Sequence, residues 1–339
     1  MGFLYITAFL YITAFLYITA SVALPPWFST KRSLAVGIST AGAGIGVVIY
    51  SLATNSAIEN VGLPWAYCIL ALCTVVANFV SALLLKDINH PREDRSKQEV
   101  GFRIQDFARI EVLLVVFWGT ATERGYITLL NSMPSYASSV GLSSTQGSVA
   151  NALLNIGLGL ERPLLGYFSD RLGDINMALS MTAVWHPLLC SLDFSTGFCS
   201  ASCFFALLAG SLCGTFWATA TPILVEVVGL SRMTRVFGVI CLGMVFPTTF
   251  AEPVAMQIVD SQKTTARIFL SAQIFVGCMF MAWSISLWFL RTWKIAELEI
   301  EAPFDGLNLG CSISRLTETK RRHVFCWMTL NTMIELKRV

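Results

Sequence analysis

The sequence predicts an all-α, polytopic membrane protein of about nine transmembrane helices, and three observations carry that expectation. Hydrophobic residues fill 55% of the 339 positions and charged residues only 13%, against about 25% charged in a soluble domain. Apolar runs recur that are long enough to cross the bilayer core as helices, which takes about 18 residues or more. Lys and Arg gather in alternate connections between those runs, the asymmetry of a chain that crosses a membrane repeatedly. A formal net charge of +2 with no basic stripe excludes a nucleic-acid partner. The ten cysteines fall mostly inside apolar runs, where they act as small reduced hydrophobes, and the three histidines are scattered. Cys199 and Cys203 lie one helical turn apart without a nearby histidine, so neither a metal site nor a cofactor is expected.

The chain opens with FLYITA three times, from Phe3 to Ala20. A six-residue period advances about 240° around a helix, so the copies build no common face. They predict a first span from Phe3 to Leu24 that holds no site and ends at Pro25-Pro26-Trp27. A short basic turn, Lys31-Arg32, precedes the second run, Leu34 to Ala57. There Gly42 and Gly46 form a GxxxG pair and Gly37 and Ala41 repeat its spacing, which predicts close helix packing. A third run covers Leu63 to Leu85, and a long polar loop of both charge signs follows. Later runs cover Val112 to Leu130, Thr145 to Phe168, Ile175 to Leu192, Ser202 to Val228, Phe237 to Val259 and Ile268 to Leu290. The expected division is therefore a three-span bundle over 1–86, a central loop over 87–111, a six-span bundle over 112–291 and a tail over 292–339. Basic residues at Lys31, Arg32, the central loop, Arg171, Arg232 and Arg235 share one side, which the positive-inside rule makes cytoplasmic together with the C-terminus.

Within the fifth run, Glu161 and Arg162 stand among apolar residues, directly before Pro163. A charge at the centre of a span costs roughly 2.5–3.5 kcal/mol on insertion scales, so Arg162 needs a compensating role. Asn151, Asn155 and Arg162 fall on nearly one helical face and predict a polar stripe. A guanidinium there can hold an anionic group by two parallel hydrogen bonds, whereas lysine offers a point charge. Pro163 removes a backbone hydrogen bond one turn back and opens space beside it. The bland alternative is a permanent pairing of Arg162 with another intramembrane acid. Glu252 lies mid-span beside Pro253, and with Glu226 and Glu161 it is a candidate proton carrier; a hydrogen-bonded structural carboxyl is the other reading.

Several stretches resemble the monocarboxylate transporter family of the major facilitator superfamily, particularly its fungal members. They are WFSTKRSLAVGISTAGAGIG (Trp27 to Gly46), GYITLLNSMPSYASSVGLSSTQGS (Gly125 to Ser148), RPLLGYFSDRLGDIN (Arg162 to Asn176), ILVEVVG (Ile223 to Gly229) and FPTTFAEPVA (Phe246 to Ala255). The resemblance implies the major facilitator fold, with three spans of the N-terminal half and a complete six-span C-terminal half, as in a member lacking its first three spans. It implies carboxylate binding at Arg162 and places Tyr126 and Asn131 with it. Gly166, Asp170, Arg171 and Gly173 resemble the superfamily's gating turn, where Asp170 accepts hydrogen bonds from a neighbouring helix end in one conformation only. Leu158 stands where relatives carry an acid, Glu161 where glycine is usual, Glu123 and Arg124 where apolar residues are usual, and Asp174 where a basic residue is usual.

The function so implied is secondary active transport of a small organic anion across a lipid bilayer by alternating access, with a proton as candidate co-ion in symport. The alternative is a truncated, transport-inactive relative, or a gene-model fragment, acting at most as a membrane-embedded partner. An enzyme is not expected, because GxSxG, HExxH and GKS/GKT signatures are all missing.

Overall fold

The computed structural model describes residues 17–85, 109–139, 143–185, 199–250 and 270–301, together with Gly141. Every regular element among them is helical, as the long apolar runs require. Residues 17–23 form α1, which a 3-10 turn at Pro25–Trp27 closes. Then come α2 (Arg32–Val61), α3 (Leu63–Leu84), α4 (Ile110–Ser139) and α5 (Ser144–Leu172). Next are α6 (Asp174–Ser180), continued by a π turn at Met181–Trp185, then α7 (Cys199–Cys213), α8 (Thr215–Val228), α9 (Leu230–Thr249) and α10 (Leu270–Glu301).

The apolar runs locate the helices but misplace some of their ends. The last helix continues to Glu301, past the expected start of the tail. The eighth run begins its helix at Leu230 and not Phe237. The expected span Ser202 to Val228 is one apolar stretch interrupted at Gly214, where two helices meet. Four stretches among the described residues are long and apolar enough by themselves to cross a membrane: Arg32–Tyr50, Leu63–Leu84, Cys203–Val228 and Leu230–Thr249. Parts of four expected runs, Phe3 to Leu24, Ile175 to Leu192, Phe237 to Val259 and Ile268 to Leu290, lie outside the described residues.

α5 is the axis of the bundle, packed along α2 on one side and α7 on the other. Its start is fixed by a capping box, in which the Ser143 hydroxyl and the Gln146 side chain each accept from the other residue's backbone N–H. The largest apolar core lies beside this axis and joins α4, α6, α8, α9 and α10 through Trp118, Ile175, Phe216, Phe237, Ile240, Trp283 and Leu287. Trp118 meets Phe216 edge-on with ring centres 5.0 Å apart.

The small residues of α2 do pack, but along a different line from the expected one. A Cβ on Gly42 or Gly46 would meet nothing within 4 Å, so the GxxxG pair faces away from any described helix. The seam instead runs through Gly37 and Gly44, where a Cβ would strike the backbone of Arg162 and of Gly159, and Ala41 lies on it, its carbonyl near Gly159. The sequence offers small residues on both faces of α2, and the placement of α5 chooses one of them.

Candidate functional site

Arg162 lies at the middle of this packing, 3% exposed, and its Nη1 donates to the Thr40 carbonyl of α2 at 2.5 Å. The Nε is buried without a hydrogen-bond partner, and no salt bridge to Arg162 forms among the described residues. Its charge is felt by Tyr17 of α1, Glu123 and Tyr126 of α4 and Glu161 of α5. A guanidinium left partly unsatisfied in a dry bundle is costly, because a buried charge needs pairing and hydrogen bonds together.

Glu161, one position earlier, points elsewhere, as adjacent helical residues must. Its Oε2 accepts from the Gly214 N–H at 2.8 Å and its Oε1 from the Thr215 hydroxyl at 3.0 Å. Glu161 therefore caps the N-terminus of α8, where a carboxylate is favoured by the helix dipole. This explains the broken span. A Cβ at residue 214 would crowd Glu161 Oε2, Leu158 and Arg162 Nε, so glycine lets the α7–α8 junction approach the two charges.

The other expected residues divide. Tyr126 belongs to the Arg162 cluster. Asn155 is buried on the same helix, but its Nδ2 donates to the Asn151 carbonyl at 2.8 Å, and no hydrogen bond links either asparagine to Arg162. Their Oδ1 atoms are buried without partners, so the stripe has acceptors to offer. Glu226 is not in this cluster and lines a cavity at the basic end of the bundle. The side chain of Asn131, and Glu252 altogether, lie outside the described residues.

Sequence reasoning missed Tyr17, Thr40 and Trp217, and saw Glu123 only as a misplaced charge. Tyr17 belongs to the third FLYITA copy, which carries a site residue after all: its ring meets Trp217 edge-on at 5.4 Å. Nothing in the repeat separates Tyr17 from Tyr5 or Tyr11. Thr40 contributes a main-chain carbonyl, which leaves no signature in a side-chain pattern. Glu123 is 6% exposed and takes a hydrogen bond from Trp217.

At the basic end, α2 starts without a local cap: Lys31 precedes it and supplies no side-chain hydrogen bond. The acceptors come from 136–137 residues away. Asp170 takes the Ser33 N–H on Oδ1 and the Leu34 N–H on Oδ2, both at 3.0 Å. The Ser33 hydroxyl donates to Asp174 at 2.6 Å. Gly166 lets the chains approach, since a Cβ there would meet the Ser33 backbone, and Gly173 turns the chain at φ 95°. Arg171 takes no part in this latch and lies over the Tyr167 ring at 4.4 Å. Arg32, Ser33, Asp170, Asp174, Glu226 and Lys294 line an adjoining cavity of about 430 Å³.

The Asp170 contact predicts a measurable bias. An anion at a partly buried helix N-terminus contributes up to about 2 kcal/mol. Asp170→Asn is therefore expected to open this end, so that a Ser29→Cys reporter in the cavity reacts with a soluble maleimide up to about thirtyfold faster. Unchanged labelling would show that the contact holds nothing closed.

A helical bundle with apolar spans and a charged cluster at its axis defines an integral, multi-pass membrane protein. No family model matches the chain. It is 28% identical over 310 residues to "Probable transporter MCH2" of Saccharomyces cerevisiae, covering 88% of this chain and 65% of the yeast protein. It is 23% identical over 261 residues to an "MFS-type transporter" of Gibberella moniliformis, covering 76% of this chain and 61% of that one. A further match is "Oxalate:formate antiporter" of Oxalobacter formigenes, 29% identical over 158 residues, 43% of this chain and 36% of the antiporter. The chain is thus similar, over most of its length, to yeast MCH2 and to an MFS-type transporter, and each of these relatives is named as a transporter. It spans less than two thirds of the length of each.

Proposed function

We propose that the chain serves secondary active transport of a small organic anion by alternating access, with Arg162 as the anion-binding group. The observation that carries this reading is a buried guanidinium with an unpartnered Nε and no acid in salt-bridge reach among the described residues. An incoming carboxylate would supply the missing acceptors, while Tyr126 and the Asn151–Asn155 carboxamides line its approach. The Oxalobacter relative, named as an oxalate:formate antiporter, supports the solute class. The Asp170–Ser33 latch is the basic-end gate in this reading, and that end, with the C-terminus, faces the cytoplasm.

The test is uptake of radiolabelled formate, oxalate and lactate by cells expressing the chain, with and without an imposed pH gradient. Uptake of at least one anion above that of empty cells is expected. Uptake of none by a chain that reaches the membrane would sink the proposal.

A further inference from the structure

We infer that Glu123 is the coupling residue of this site: an anion binds at Arg162 together with one proton, and Glu123 carries that proton. The inference rests on the anion-site reading above. It starts from a count of buried charges. Arg162 is a single cation facing two carboxyls, Glu123 and Glu161, so with both ionised the cluster is already net negative. Arg124 does not offset this, because it turns to α9 and donates to the Pro247 carbonyl at 3.1 Å. A third negative charge, brought by the solute, would enter a buried and already negative site. Like charges that share a site cannot all ionise, so one carboxyl must take a proton as the anion arrives.

Geometry decides which one. Both oxygens of Glu161 already receive donors, from Gly214 and Thr215, so a proton there would face an N–H or O–H and disrupt the cap of α8. Glu123 has room: its Oε1 is buried without any hydrogen-bond partner. Arg162 of α5 acts on Glu123 and Trp217 of α8 donates to it; Glu123 in turn acts on Tyr17 of α1 and Tyr126 of α4, with Cys241 of α9 acting on Tyr17, and Glu161 and Cys213 acting on Tyr126. No titratable side chain of α10 enters this cluster among the described residues. Of these groups, Glu123 alone combines a carboxyl with an open oxygen. The proton comes from water on the side to which the site is open and returns to water on the other side. Only the O–H bond of Glu123 forms and breaks.

The experiment is equilibrium binding of radiolabelled formate, oxalate and lactate to the purified full-length chain in lipid nanodiscs, across a pH series. One linked proton makes native affinity fall by up to about tenfold per pH unit on the alkaline limb. Glu123→Gln is expected to abolish that slope and to bind at alkaline pH as the native chain does at acid pH. Glu161→Gln should keep the slope, and Arg162→Ala should bind nothing. An unchanged slope in Glu123→Gln overturns the inference and leaves the anion site standing. Binding by Arg162→Ala, or none by the native chain at any pH, overturns the anion site and this inference with it. Where Glu123→Gln does not fold, Glu123→Asp must keep the slope with a displaced midpoint, and an unmoved midpoint overturns the inference.

Discussion

Arg162→Ala is expected to lower anion uptake at least about thirtyfold while the protein still reaches the membrane. Removing one partner of a buried, hydrogen-bonded charge pair costs about 2–5 kcal/mol, and 1.4 kcal/mol is a factor of ten. The loss would fall on solute affinity, because the guanidinium's only described hydrogen bond, to the Thr40 carbonyl, occupies one of its donors and leaves others for a ligand. Arg162→Lys should recover only part of it, since an ammonium cannot present two parallel N–H groups to one carboxylate. The same change strips the counter-charge from Glu123 and Glu161, so surface abundance has to be measured alongside uptake. Undiminished uptake at normal abundance would remove Arg162 from the site.

Gly210→Ala should destabilise the bundle, and Gly42→Ala should not. At 210 a Cβ would overlap the Leu154 carbonyl of α5, and that obstacle is backbone, which cannot rotate away. Overpacking of this kind costs roughly 1–3 kcal/mol, occasionally more. It must also outweigh the gain of about 1 kcal/mol that alanine brings over glycine in a helix. At exposed Gly42 that gain stands unopposed. Thermal unfolding in detergent reads both, and because the helix propensity terms cancel between them, the difference isolates the α5–α7 crossing. Equal melting points would mean that the two helices are not held at this distance.

Much of the helical layout was legible before any coordinates. Run lengths place α2, α3 and α5 to within a few residues, because a helix has to bury its backbone polar groups wherever water is absent. The buried charges were legible too, since Arg162 and Glu161 violate an apolar run and a violation needs a partner. What each charge touches was not legible. Asp170 and Glu161 both act as caps for helices far away in sequence, Ser33–Leu34 at the start of α2 and Gly214–Thr215 at the start of α8. No local pattern announces an N-cap supplied by another span.

The sequence by itself determined that this chain is a set of membrane-crossing helices with charge inside one apolar run, because apolar run length and the expense of a buried ion are local quantities. The tertiary structure alone decided that Thr40 takes a hydrogen bond from Arg162, that Tyr17 and Glu123 feel its charge while Trp217 bridges those two, and that α2 meets α5 through Gly37 and Gly44 and not through Gly42 and Gly46. The reason is that a helix offers several faces at once, and which face becomes a seam, and which a site, is set by the neighbour that packs against it.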